Sequence, residues 1–238
     1  MRNRWVSTER KEPEFYRGIA IHADSGVHEQ AIRTIQRHVP PWASIVDIGA
    51  GAGAFSARLT DLGYSVTALD VDVDEWALDT VPVRHLDINR GIASSLDRTY
   101  DAACVLEVIE HIETPWHLLR ELRAVVRPGG WLIISTPNVA SFLSRTIFLV
   151  SGRFPQFDVP DLEYGHISPM TPCEIGNVAE RTGWTVRSME PAGYLPVVDL
   201  SVRTLRSLVW NALRVGAYAI ARGEKRGWCT IAVLQNPA

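Results

Sequence analysis

The stretch from Ser44 to Asp70 constrains the fold of this 238-residue chain more than any other part. It begins with a short apolar run, Ile45–Ile48, which predicts a buried strand. Three alternating glycines follow, and after them comes a segment of helical pattern, Ala54–Leu62. A second strand-like run, Ser65–Leu69, is followed directly by the acidic residue Asp70. The order is therefore strand, glycine turn, helix, strand, acid.

This unit predicts a binding site for a ligand that contains a ribose. Gly49, Gly51 and Gly53 let the backbone approach a ligand closely, and the start of the helix offers free N–H groups beside them. Asp70 stands at the end of the second strand, where a carboxylate can accept hydrogen bonds from both ribose hydroxyls. Because Gly49, Gly51 and Ala54 also satisfy the loose dinucleotide pattern, NAD remains open at this point.

Strand-like and helix-like segments continue to alternate after this unit. The further strands are predicted at Val83–Leu86, Tyr100–Leu106, Trp131–Thr136, Trp184–Met189 and Trp228–Leu234. Such alternation predicts a parallel sheet covered by helices on both faces, with ligands at the carboxyl ends of the strands.

We predict a single domain over residues 1–238, which consists of one ligand-binding core and three accessory parts. Residues 1–43 form an N-terminal cap, helical over Glu14–His38, and residues 44–137 form the ligand-binding core. The segment 138–170 breaks the alternation and is expected to form a lid. The C-terminal part, 171–238, carries an amphipathic helix at 199–222 that can pack internally, contact a second copy or lie on a membrane surface.

Composition excludes several classes of function. The hydrophobic fraction of 46% can fill a core, and a net charge of −3 argues against DNA binding and makes an RNA acceptor unfavourable. No apolar run reaches the length of about 18 residues that a membrane span needs, and the start is too polar for a secretory signal. The three cysteines are far apart in sequence and are expected to be reduced thiols, so the predicted location is the cytoplasm.

Two acidic positions narrow the choice of ligand. Asp47 lies two residues before the first glycine, where a carboxylate suits an ammonium or sulfonium group and would repel a pyrophosphate. Asp87 and Ile88 end the third strand of the core, and a polar side chain beside an apolar one can hydrogen-bond and sandwich an adenine. Together they favour a cationic adenosine derivative over NAD.

The motifs V-D-I-G-A-G-A-G-A-F-S, A-L-D-V-D, H-L-D-I, Y-D-A-A-C-V-L-E-V-I-E-H-I and R-P-G-G-W-L-I-I-S-T-P-N cover residues 44–138 in order. On these motifs the chain resembles the class I S-adenosylmethionine-dependent methyltransferases. The resemblance implies an α/β fold, a doubly wound, Rossmann-like, seven-stranded mixed sheet whose last strand is antiparallel. It also implies a cofactor-binding set of Asp47, Gly49, Ala50, Gly51, Gly53, Asp70, Val71, Asp87, Ile88 and Leu106.

The segment E-V-I-E-H after the fourth core strand carries the candidate catalytic residues Glu110 and His111, to which His166 is added from the lid. With Glu107, these side chains form a plausible site for Mg²⁺ or Mn²⁺. The pattern resembles that of quinone-biosynthesis and small-RNA O-methyltransferases. Similar segments also occur in methyltransferases that need no metal, in which case His111 or His166 is the expected general base.

The acceptor is less constrained than the donor. A loose likeness of T-P-N…G-R-F-P-Q-F…G-H-I-S-P to methyltransferases of polysaccharide pathways favours a sugar or glycan hydroxyl. A small phenol, quinol or other secondary metabolite is the alternative. A cofactor-binding accessory protein without catalysis is the remote alternative, and the intact acidic and glycine positions argue against it.

Overall fold

The computed structural model describes residues 14–193 and 221–238, together with residues 208, 209, 211, 212, 215, 216 and 219. The strands are β1 Phe15–Tyr16, β2 Ile19–Ala20, β3 Ser44–Ile48, β4 Ser65–Asp70, β5 Val83–His85, β6 Tyr100–Leu106, β7 Val126–Pro137, β8 Thr185–Ala192 and β9 Cys229–Gln235. The helices are α1 Val27–His38, α2 Ala54–Asp61, α3 Pro115–Val125, α4 Phe142–Ser151, α5 Val159–Glu163 and α6 Pro172–Arg181. Within this described part of the chain, no helix has the length and apolarity needed to cross a membrane.

Seven of these strands form one mixed sheet in the order β5-β4-β3-β6-β7-β9-β8. Neighbours from β5 to β7 run parallel, and β9 runs antiparallel to both β7 and β8. The predicted doubly wound sheet with an antiparallel last strand is therefore confirmed. The chain leaves β3 toward β4 on one side and later returns to β6 on the other, so a crevice opens at the carboxyl ends of β3 and β6.

Alternation of side chains along β3 builds a core on each face of the sheet. Val46 and Ile48 point into a core shared with α3 and α6, whereas Ile45 points into one shared with α1, α2 and α4. Asp47 lies on the same face as Ile45, and it is one of the few buried carboxylates. Both faces are covered, so strand β3 is apolar apart from that acid and fixes the position of the turn that follows it.

Two segments differ from the sequence-based expectation. Helical character was expected from Glu14, but the chain first forms a small β1–β2 hairpin, and α1 begins only at Val27. The hairpin turn contains Arg17 and Gly18, both with positive φ (53° and 81°), a conformation that no helix accommodates. The sequence R-P-G-G at residues 127–130 is typical of a turn, but it lies inside β7, as an irregularity in the pairing of that strand with β6.

The remaining expectations concern the ends of the chain and the segment 138–170. That segment contains α4 and α5, and its function as a lid stays a prediction. The amphipathic helix expected at 199–222 lies largely outside the described residues, as do residues 1–13.

Candidate active site

The glycine turn after β3 is a tight turn that only glycine can form. Gly49, Gly51 and Gly53 have φ values of 73°, 53° and 98°, a region in which other residues are strained. A Cβ atom at Gly49 would overlap the Val108 side chain, and one at Gly51 would lie 3.1 Å from the His22 ring. The predicted glycines are therefore required by both conformation and space.

The N–H groups of this turn are already used inside the protein. Those of Gly49 and Ala50 donate to the Leu69 carbonyl at 2.9 and 3.1 Å, and that of Gly53 donates to the Ala50 carbonyl at 3.0 Å. The Gly51 N–H donates to the Asp70 carboxylate at 2.7 Å. A pyrophosphate cradle needs such donors free, so the turn is better suited to a ligand without phosphates.

Asp70 stands beside this turn with both oxygens oriented by the backbone. One oxygen accepts from the Gly51 N–H and the other accepts from the Asp72 N–H at 2.8 Å. Each carboxylate oxygen has a second lone pair, so both can still accept from a pair of ribose hydroxyls. Val71 follows at the rim and is exposed.

Asp87 and Ile88 lie next to Asp70 because the Leu86 N–H donates to the Asp70 carbonyl at 2.8 Å. The Asp87 carboxylate caps a short 3₁₀ turn by accepting from the Asn89 N–H at 3.1 Å. The opposite oxygen pairs with the exposed Arg90 side chain at 3.1 Å. The two predicted adenine contacts are thus at the same edge of the sheet as the predicted ribose contact.

Asp47 lies at the floor of the crevice. Its side chain is buried and accepts a hydrogen bond of 2.7 Å from the Ser56 hydroxyl. Burial raises the pKa of this carboxyl to about 7, and the charge of Asp70 adds to the effect. A carboxyl in this position gains most from a cationic ligand, which would hold it in the ionised form.

The segment from β2 to the start of α1 contributes one wall of the crevice. His22 and His28 line it together with Asp47, Leu106 and Glu107. His28 is buried against Phe55, and burial lowers the pKa of its imidazole to about 3, so the ring is neutral. The sequence gives no motif for either histidine, because nothing in the pattern of residues 14–30 indicates that the chain folds back over the turn.

Glu107 begins the second half of the site and has an unusual backbone. Its φ is 53°, which is rare for a residue other than glycine. The Ser135 hydroxyl accepts from the Glu107 N–H at 2.9 Å and donates to its carboxylate at 2.7 Å. These two bonds orient the side chain toward Cys229, whose thiol donates to the other carboxylate oxygen at 3.4 Å.

Glu110, His111 and His166 come together as a separate group. Their ligand atoms all lie within 4.8 Å of one another, and the two imidazole rings meet edge to face at 4.7 Å. Glu110 accepts from the Thr136 hydroxyl at 3.1 Å through one oxygen, while Oε1 is buried and has no hydrogen-bond partner among the described residues. That orphaned oxygen is available to a cation or to a hydroxyl group.

The surroundings of this group act on both of its imidazole rings. His166 Nδ1 is 2.8 Å from the Gln156 carbonyl, which assigns the proton to Nδ1 and leaves Nε2 with a free lone pair. Burial, together with the charge of His166, lowers the pKa of His111. The lid position is fixed by the Glu110 carbonyl, which accepts from the N–H groups of Ile167 and Ser168 at 2.9 Å each.

Comparison with known proteins identifies the family. The profile described as "Methyltransferase domain" matches residues 23–189, which is more than half of the chain. The chain belongs to the methyltransferase family. Among the curated relatives of this methyltransferase is the "Ubiquinone biosynthesis O-methyltransferase" of Aeromonas salmonicida, 27% identical over 64% of this chain and 67% of the relative. Its mitochondrial namesake from Schizosaccharomyces pombe is 29% identical over 64% of this chain and 59% of the relative.

Solved structures support the fold of this methyltransferase. A methyltransferase dependent on S-adenosylmethionine from Archaeoglobus fulgidus has a TM-score of 0.56 and 18% identity, covering 87% of this chain and 94% of that one. The Burkholderia thailandensis 1,6-didemethyltoxoflavin-N1-methyltransferase, in complex with S-adenosylhomocysteine, has a TM-score of 0.58 and 17% identity, covering 89% and 79%. This protein is therefore an S-adenosylmethionine-dependent methyltransferase, as the sequence motifs predicted.

The structure brings most of the predicted site residues of this methyltransferase together, but it separates Glu107 from the other predicted metal ligands. The cofactor-binding set is gathered at the carboxyl ends of β3, β4, β5 and β6. Of the four predicted metal ligands, Glu110, His111 and His166 form one group, whereas Glu107 belongs to another with Asp24 and Cys229. Asp24 was not singled out from the sequence, because no motif links it to residues 80 or more positions away.

Proposed function

We propose that this methyltransferase transfers a methyl group from S-adenosylmethionine to a hydroxyl of a small phenol or quinol. The observation that carries the proposal is the group of Glu110, His111 and His166, which follows Glu107, a residue that lines the crevice, in sequence. The relatives named as ubiquinone biosynthesis O-methyltransferases support a small aromatic acceptor, which was the alternative from the sequence, over the glycan hydroxyl that it favoured.

The donor half would bind S-adenosylmethionine through three acidic residues. Asp47 would face the cationic methionine part, Asp70 would accept from the ribose hydroxyls, and Asp87 with Ile88 would contact the adenine. Four N–H groups of the turn between them already have acceptors inside the protein, which makes the turn a poor cradle for phosphates. Recognition would therefore depend on positive charge and ribose rather than on a pyrophosphate.

The acceptor half would orient and deprotonate the hydroxyl. A new oxygen–carbon bond forms as the sulfur–carbon bond breaks, and the hydroxyl proton must pass to a base. His166 presents a lone pair on Nε2, and the lowered pKa of His111 keeps that ring able to accept a proton at neutral pH. Either imidazole can receive the proton, and the buried Glu110 carboxyl holds the imidazolium that results.

The same three residues fit a divalent cation. An orphaned carboxylate oxygen and two imidazoles are ligands that Mn²⁺ and related ions accept. A bound ion would lower the pKa of an acceptor hydroxyl and so favour its ionised form. Glu110, His111 and His166 are the residues that would hold it.

The proposal is tested with labelled S-adenosylmethionine and a panel of catechols, quinols, simple phenols and sugars, with and without a chelator. We expect transfer to an aromatic hydroxyl, and a loss of about a hundredfold or more in kcat for His166→Gln and Glu110→Gln. His38→Ala is the matched control, because that half-buried histidine contacts Trp131 at the opposite end of the sheet. Transfer to amines alone, or full activity in both site variants, would refute the proposal.

A further inference from the structure

The geometry points to a second cation site in this protein, formed by Asp24, Glu107 and Cys229 and suited to Zn²⁺ or a similar borderline divalent metal. Their ligand atoms all lie within 4.8 Å of one another. The three residues come from the segment before α1, the end of β6 and the start of β9. This site does not depend on the proposed function, and none of its ligands belongs to the Glu110, His111 and His166 group.

The hydrogen bonds of the thiol mark the centre of this site. Cys229 Sγ donates toward Asp24 Oδ2 at 3.3 Å and toward Glu107 Oε2 at 3.4 Å. A thiol has one hydrogen, so it can donate to only one of the two carboxylates at a time. A cation between the sulfur and the two oxygens would satisfy all three atoms together.

The positions of the ligands are fixed by their surroundings. Ser135 holds one oxygen of Glu107 at 2.7 Å, which directs the other oxygen toward Cys229. The Gln156 amide donates to Asp24 Oδ2 at 3.1 Å and so orients that carboxylate from the lid side. Partners that orient metal ligands in this way are typical of metal sites in proteins.

The charges also favour a cation. Burial and the neighbouring carboxylates raise the pKa of the Cys229 thiol well above its ordinary value, and burial with the charge of Asp24 raises that of Glu107 to about 7. A divalent ion would displace the thiol proton to solvent and form a sulfur–metal bond. The positive charge of the ion would compensate the negative charges of the two carboxylates.

The ligand set indicates which metal would bind. A thiolate with two carboxylates favours Zn²⁺ or Co²⁺ over Mg²⁺, which prefers oxygen ligands alone. Three protein ligands also leave a fourth tetrahedral position open, as in catalytic zinc sites. Glu107 lines the donor crevice, so this position adjoins the site of methyl transfer.

The test is a titration of the full chain with Co²⁺, whose bond to a thiolate gives a near-ultraviolet charge-transfer absorption. We expect a saturable absorption that Zn²⁺ abolishes by competition and Mg²⁺ does not. Cys229→Ser should remove it, and Asp24→Asn should weaken Co²⁺ binding roughly tenfold or more, since partners outside the ligand set alone contribute that much. Cys173→Ser is the matched control, because that cysteine is exposed and outside the cluster.

Two further measurements keep the outcome interpretable. Glu110→Gln and His166→Gln should retain the absorption, which separates this site from the one in the proposed function. The second measurement does not depend on whether Cys229→Ser folds. Calorimetry of Zn²⁺ binding to Glu110→Gln, in buffers of different ionisation enthalpy, should show that a proton is released. No absorption in the folded wild-type chain, an absorption that survives in a folded Cys229→Ser chain, or Zn²⁺ binding without proton release would overturn the inference.

Discussion

Gly49 provides a sharp test of the glycine turn, because the chain contains a matched glycine elsewhere. Gly49 and Gly152 have nearly the same backbone, with φ values of 73° and 71°. A Cβ atom at Gly49 would overlap Val108, whereas one at Gly152 meets nothing within 4 Å. Substitution by alanine therefore imposes the same backbone cost at both positions and a steric cost at Gly49 alone.

The expected magnitudes follow from these two terms. The left-handed conformation costs an alanine about 1–2 kcal/mol, which applies to Gly152→Ala and Gly49→Ala alike. Overlap with a packed side chain adds roughly 1–3 kcal/mol at Gly49, so Gly49→Ala should be the more destabilised by that amount. Relief of the overlap must shift the turn or Val108, and a shift of the turn displaces the Gly51 N–H that orients Asp70.

Urea unfolding of both variants measures the difference, and calorimetry with S-adenosylhomocysteine measures its effect on donor binding. We expect weaker binding for Gly49→Ala and unchanged binding for Gly152→Ala. Val108→Ala should partly rescue Gly49→Ala, with a coupling energy of roughly 1–3 kcal/mol in a double-mutant cycle. Equal stabilities of the two glycine variants, or a coupling energy near zero, would refute the steric reasoning.

Three other predictions concern Asp47, Glu121 and Thr171. The pKa of Asp47 is raised from 3.8 to about 7 in the folded protein, so its contribution to stability is present below pH 4 and is lost as the pH rises through 7. Asp47→Asn should therefore raise the free energy of unfolding more at pH 8 than at pH 4. The same substitution should weaken donor binding. Glu121 accepts hydrogen bonds from the N–H groups of Ile92 and Ala93, and these bonds lower the pKa of its carboxyl. Glu121→Ala should therefore lower the free energy of unfolding, measured with urea, by about 1 kcal/mol above pH 5. The loss should become smaller as the pH falls through the lowered pKa. Thr171→Ala removes the capping box of α6 and should cost about 1 kcal/mol in the same assay, whereas Ser141→Ala at the α4 cap provides a comparison with a single cap bond.

Local sequence signals predicted the parts of the fold that local physics determines. Thr171 and Glu174 have the spacing typical of a capping box and form one at the start of α6, and Gly63 adopts a φ of 85° where the α2 helix ends. The apolar run Tyr100–Leu106 is the buried central strand that its composition indicated. In these cases the residues themselves supply the hydrogen bonds, the conformation or the burial.

The candidate site depends on long-range placement, and there the sequence was less informative. The E-V-I-E-H spacing suggests that Glu107 and Glu110 act together, but the positive φ of Glu107 separates them into two groups. A glutamate at position 107 does not indicate a positive φ, because glycine, asparagine and aspartate are the residues most typical of that conformation. His22 and His28 reach the crevice, and Asp24 reaches Glu107, because the β1–β2 hairpin and α1 return over β3, a packing that no motif encodes.

The position of β9 has a consequence for how the site assembles during synthesis. Strand β9 lies between β7 and β8, and it is the last of the described strands along the chain. Ser135 and Thr136, which orient Glu107 and Glu110, lie on β7, and their outer edge pairs with Ile231 and Thr230. The strands that carry the donor-binding turn need no contact with β9. A nascent chain can therefore form the predicted donor-binding turn first, whereas the edge of β7 that carries Ser135 and Thr136 gains its outer neighbour only when β9 has left the ribosome.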